Sequence, residues 1–186
     1  MTMTPRVRKL ALVTHVACSV GWLGAVITSL AVATVPLVTR DGELFRGAYL
    51  TLEPIGWYAL IPLSVASLVT GLIQSLGTTW GLLRHYWVTA KLLMNLLATG
   101  VLLLYMQVLT YLADSARTAR SVTDLTAVRT PSPVAHAAAA VVLLVVALVL
   151  SIYKPRGLTR YGQRKLRQRQ PSLPQLAGLA AGDGGT

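Results

Sequence analysis

The chain has 186 residues, of which 54% are hydrophobic and only 12% charged, with a formal net charge of +11. A mean hydropathy of +0.59 is too apolar for an ordinary soluble domain, so an integral membrane protein is expected. The single cysteine, Cys18, excludes a disulfide framework or a multi-cysteine metal site within one chain. The basic charge comes without aromatic interleaving or a folded reading module, which speaks against nucleic acid as a partner.

Residues 1–9 form a basic N-terminal segment carrying Arg6, Arg8 and Lys9. A first apolar span follows near 10–38, too long for a signal-peptide core of about 7–15 residues, and it is read as a retained helix. Further spans are expected near 54–76, 86–112 and 134–153, each long enough to cross a hydrocarbon core of about 30 Å. The predicted fold class is all-α: an integral membrane four-helix bundle over residues 10–153. Pro62 deprives Tyr58 of a backbone bond and should kink the second span. The intervening segments 39–53 and 113–133 carry Asp41, Glu43, Glu53, Asp114 and Asp124 among their arginines and read as solvated loops.

Past the fourth span, Pro155 and Gly157 stop the helix and a basic segment 154–170 begins. Its Lys154, Arg156, Arg160, Arg164, Lys165, Arg167 and Arg169 are expected to contact anionic lipid head groups. Residues 171–186, rich in Pro, Gly and Ala, are expected to be disordered. Together with Arg6, Arg8, Lys9 and Arg84, these cations outnumber the Arg40, Arg46, Arg117, Arg120 and Arg129 of the other side. The asymmetry places both termini in the cytoplasm and the protein in the cell membrane.

Within this frame Lys91 is the anomaly, a charge about five residues inside the third span. A charged side chain at mid-membrane costs about 2.5–3.5 kcal/mol on insertion scales, and it usually has a partner or a wet cavity. Depth counting puts His15 and Gln74 in the same layer. Trp87, Lys91, Asn95 and Thr99 share one stripe of the third span, and His15, Cys18 and Trp22 share a face of the first. In the second span Ser64, Ser67, Gly71 and Gln74 form a small and polar stripe of the kind that packs on other helices. Two readings stand for Lys91: it faces the interior near Asn95, His15 and Gln74, or its stem snorkels to the interface. His15, Trp22, Trp87, Lys91 and Asn95 are accordingly the candidate cofactor-binding residues, with haem as the group considered, His15 its axial ligand and Lys91 attracting an acidic group.

The chain carries no nucleophile elbow, phosphate loop, zinc-protease helix or dinucleotide fingerprint, so its catalytic residues, if it is an enzyme, are not identified by motif. Nor does it assemble a metal-ligand set. On base rates the leading expectation is a non-enzymatic membrane subunit or scaffold, working with a membrane partner subunit or a second copy. The alternative is a haem-, porphyrin- or metal-binding redox protein built on the His15/Lys91 layer. A small transporter ranks third, since paired repeats and broken helices are not evident.

At THVACSVGWLGAV from Thr14, GLIQSLGTTWGLLRHYWVTAKLL from Gly71 and SIYKPRG from Ser151, the sequence resembles a family of small four-span bacterial membrane proteins without an assigned function. More distantly it is similar to copper-resistance D-like proteins and to the four-helix membrane type of protoporphyrinogen oxidase. That likeness rests on a histidine, tryptophan and glycine in span one and a tryptophan–lysine pair opening span three. It implies that His15, Trp22, Gly24, Trp87 and Lys91 matter, with a histidine and a lysine handling haem or porphyrin. After Gly24 the chain reads AVITSLAVAT in place of that group's arginine- and histidine-containing continuation.

Overall fold

The structure is a computed structural model and describes residues 3–77, 85–153, 159 and 163. Most of the described residues are helical, with no β-strand among them. Helix α1 spans Pro5–Val38, α2 Gly42–Ile55, α3 Ile61–Gly77, α4 Tyr86–Thr118, α5 Val122–Ala127 and α6 Ser132–Tyr153. A π-helical turn, Gly56–Leu60, joins α2 to α3. Four helical stretches are long and apolar enough to cross a membrane: Pro5–Val38, Gly42–Gly77, Tyr86–Thr118 and Ser132–Tyr153. Lys154, Arg156, Arg160, Arg164, Lys165, Arg167 and Arg169 lie outside the described residues, as do Trp80, Arg84 and residues 171–186.

The local chemistry explains these elements. Pro5 opens α1 at the first helical position, where a missing N–H costs nothing. Hydroxyls inside the apolar helices return to their own backbone: Thr14 to the Leu10 carbonyl at 3.0 Å, Thr28 to Gly24 at 3.0 Å and Ser29 to Ala25 at 2.9 Å. That satisfies them where no water is at hand.

The segment 39–53, expected as a solvated loop, is corrected by the structure. Asp41 caps α2, accepting from the Glu43 amide at 2.9 Å and the Leu44 amide at 3.4 Å. Phe45, Ala48, Tyr49 and Leu52, at i, i+3, i+4 and i+7, are all buried. The charges of this segment occupy one helix face and the core takes the other. The segment 113–133 is likewise largely helical, holding the end of α4 and all of α5. Pro62 lies just beyond the π turn, in which the Ile61 amide donates to the Gly56 carbonyl five residues back. The interruption expected from proline is thus a change of helical register.

Helix α1 packs on α2, α3 and α6, while α4 packs on α2, α3 and α6. Two apolar clusters result. At the end where α2 and α5 lie, Ala33, Phe45, Tyr49, Leu52, Met106, Leu109, Leu112, Ala116 and Leu125 form one buried core. Trp22, Val26, Leu60 and Leu144 form a second, smaller one further along. The first end is tied across its surface as well. Tyr49 Oη donates to the Val128 carbonyl at 3.2 Å, Arg46 to the Ala119 carbonyl at 2.8 Å and Arg129 to the Thr39 carbonyl at 3.1 Å. Arg117 bridges Glu53 and Asp114.

Candidate functional site

The opposite end, where α1 and α4 begin and α3 and α6 finish, is hollow. A cavity of about 610 Å³ lies among α1, α3, α4 and α6, and His15, Trp22, Trp87, Lys91 and Asn95 all line it. The layer inferred from depth counting is therefore brought together in space, and Gln74 joins it. Leu23, Leu72, Leu92 and Leu144 supply apolar wall, with Arg8 and Met3 toward the start of α1. The volume lies within the range usual for small-molecule sites, about 300–1,000 Å³.

His15 is built into this wall by α3. Its Nδ1 sits 3.0 Å from the Thr70 hydroxyl, and that hydroxyl also lies 2.6 Å from the Ala66 carbonyl. A carbonyl can only accept, so the Thr70 proton goes to Ala66 and His15 Nδ1–H donates to Thr70 Oγ. The neutral imidazole then carries its lone pair on Nε2, for which no protein donor is found among the described residues. Gly71 makes room for the ring: a Cβ there would lie 3.2 Å from His15 Cε1. Next along, Ser19 and Ser67 share a hydrogen bond of 2.9 Å, and Asn95 Nδ2 reaches Ser67 Oγ at 3.5 Å. Gln74 donates to the Ala11 carbonyl at 2.8 Å.

Lys91 has a different partner from those its depth suggested. Its Nζ donates to Ser151 Oγ of α6 at 2.5 Å, and Ser151 donates onward to the Ala147 carbonyl at 2.9 Å. The Trp87 ring lies 6.0 Å from Nζ, a loose cation–π distance. Between the two sequence readings, the side chain is directed across to α6. Ser151 and Thr70 are the residues that sequence reasoning missed. Their one signal was a hydroxyl inside an apolar helix. Thr99, last of the Lys91 stripe, does not line the cavity; it is buried and its hydroxyl has no partner among the described residues.

The charge balance of the cavity is one-sided. The five acids among the described residues, Asp41, Glu43, Glu53, Asp114 and Asp124, belong to α2, the end of α4 and α5, at the packed end. The ion pairs found among the described residues both involve Arg117 there. Among the described residues Lys91 thus has a hydroxyl partner and no carboxylate.

Elsewhere, a smaller cleft of about 210 Å³ is lined by Thr39, Asp41, Phe45, Leu125 and Arg129. His136 stacks on Tyr105 with centroids 3.8 Å apart, remote from His15. No group of three or more His, Cys, Asp or Glu side chains gathers among the described residues. Comparison with protein-family models, with curated proteins and with solved structures gave no match.

Proposed function

We propose that the chain is a ligand-holding multi-pass protein of the cell membrane, a four-span bundle with both termini cytoplasmic, whose binding site is the hollow at the His15/Lys91 end. The observation that carries this reading is the convergence of His15, Trp22, Trp87, Lys91 and Asn95 on one cavity, which brings an ammonium, an imidazole and apolar walls together. The orientation rests on the excess of Lys and Arg that the sequence puts before the first span, between the second and third and after the fourth, and the basic segment 154–170 would hold anionic head groups.

Haem or a porphyrin is the specific group considered, in keeping with the distant resemblance of the His15 and Lys91 segments. The donor set fits it on one side: His15 is the histidine of the lining, its Nε2 left for a ligand because Nδ1 is engaged by Thr70, and Lys91 is available to a propionate. Trp22 and Leu144 supply the apolar wall. Such a group would bring redox chemistry; the chain's own part is to orient His15 through Thr70, to leave room over Gly71 and to neutralise acid groups at Lys91. An ultraviolet–visible spectrum of the oxidised and dithionite-reduced protein, purified in mild detergent from haem-sufficient cells, tests this. A Soret band that His15→Ala removes supports the reading, and a colourless folded protein removes haem.

The rival reading is a membrane subunit or scaffold that recruits a partner chain or a second copy. One observation favours it: the polar groups of the layer bond across helices, His15 to Thr70, Ser19 to Ser67 and Lys91 to Ser151, as a purely architectural layer would.

A further inference from the structure

We infer that the cavity takes a carboxylate-headed, single-chain amphiphile that enters sideways from the bilayer between α1 and α6, with its acid group on Lys91. This rests on the ligand-holding reading and narrows it to a ligand class and a route.

The route follows from where α1 and α6 touch and where they part. Trp22, Val26 and Leu144 share a buried cluster with Ala140 and Val141, so the two helices are packed there. Toward the hollow end the large apolar side chains of the same helices are exposed, although Ala147 stays buried. Leu12, Val16 and Val20 of α1 are 52%, 50% and 57% exposed, and Leu148 and Ile152 of α6 are 44% and 67% exposed. All five nevertheless line the cavity. Residues that face both the cavity and the lipid side form the rim of a lateral opening. An apolar rim admits a chain from the membrane more readily than a charged solute from water.

The ligand class follows from charge complementarity. Lys91 Nζ is turned inward to Ser151, and none of the five described acids lines the cavity. Arg8, the other cation of the lining, is exposed near the start of α1, so Lys91 is the cation held inward; a charge at membrane depth calls for a partner, and one ammonium matches one carboxylate. Beyond it the walls of Leu23, Leu92, Leu144 and Trp22 suit an aliphatic tail.

The test uses 9,10-dibromostearate, whose bromines quench nearby tryptophan. The full chain is reconstituted in phosphatidylcholine nanodiscs as a variant retaining Trp22 and Trp87, both of which line the cavity, with Trp57→Phe and Trp80→Phe. Quenching that saturates, and that weakens about tenfold in Lys91→Met, is expected. Ser151→Ala, which frees the ammonium without removing it, should weaken binding less. Helicity and monodisperse elution check that each variant is folded. Dibromostearyl alcohol should quench only in proportion to its concentration, as a partitioning lipid does. Saturation by the alcohol, or tighter saturation by the corresponding alkyl phosphate, overturns the carboxylate assignment. Phe at both Val16 and Leu148 narrows the opening and should slow the approach to the plateau; an unchanged rate overturns the lateral route. A Soret band without saturable quenching overturns this inference and leaves the haem reading standing. Neither signal overturns the ligand-holding reading with it.

Discussion

At one end of the molecule Phe45, Tyr49, Leu52, Met106, Leu109 and Leu112 fill the space between helices, and Arg46, Arg117 and Arg129 tie the surface above them. At the other end the same long helices surround about 610 Å³ of open space, held apart by single hydrogen bonds between histidine, lysine and hydroxyls. The difference separates the packed core from the polar hollow on which the proposed binding site rests. The packed end joins α1, α2 and α4, so the hollow end is free to keep polar groups and space that contribute little to cohesion.

The sharpest way to break this comparison is a pair of truncations. Phe45→Ala at the packed end should cost about 3–5 kcal/mol of unfolding free energy, the range for a buried aromatic. Leu148→Ala on the cavity rim should change it by less than about 0.5 kcal/mol. Denaturation midpoints in one detergent decide the matter, and equal losses would erase the distinction between the ends.

Lys91→Met probes the hollow end from the other direction. Removing a charge without a carboxylate partner should stabilise the protein by about 1–2 kcal/mol, a part of the roughly 2.5–3.5 kcal/mol such a charge costs at membrane depth. A thermal melt in detergent reads the shift. No gain would mean that the ammonium already reaches the aqueous interface.

The smallest effect belongs to the surface of the packed end. Asp124 accepts from the Arg120 and Ser121 amides, each at 3.0 Å, and Ser121 caps α5 in return. The Arg120 amide first, and then Ser121, hold its carboxylate below the usual aspartate range. A depressed folded value means that the cap is stabilised above the ordinary aspartate value, about 3.9, and loses that stabilisation as pH falls through the lower one. Protection of the Arg120 and Ser121 amides, measured against their intrinsic exchange rates, should fall over that acid window in the parent protein. In Asp124→Asn, which has no carboxylate to protonate, protection should not change over the same window.

The spans and the polar layer were legible from the chain itself; the packed end was not. Apolar runs of sufficient length announced the four spans, and helical depth with i, i+4 spacing announced that His15, Trp22, Trp87, Lys91 and Asn95 share a region. The partners were not legible. Ser151 lies 60 positions from Lys91 and Thr70 lies 55 from His15; which hydroxyl meets which base depends on how the helices rotate against one another, and no local pattern encodes that. Helix α2 was misjudged for another reason. Its acids and Arg46 suggested water, although Phe45, Ala48, Tyr49 and Leu52 already had the spacing of a buried helix face.

The π turn at Gly56–Leu60 bears on how this long helix tolerates insertion and deletion. Leu52, Gly56, Leu60 and Ser64 are buried at every fourth position. On a regular α-helix, positions four apart drift by about 40° a step, so three steps carry a buried face about 120° round. A π turn takes up one extra residue, about 100° of rotation, and cancels most of that drift. The buried face of α2 and the Ser64, Ser67 and Gly71 face of α3 therefore point the same way because the turn is there. Losing one residue inside it would leave both faces aligned on a plain α-helix, whereas losing one inside α3 would swing Thr70 and Gly71 away from His15 by about a quarter turn.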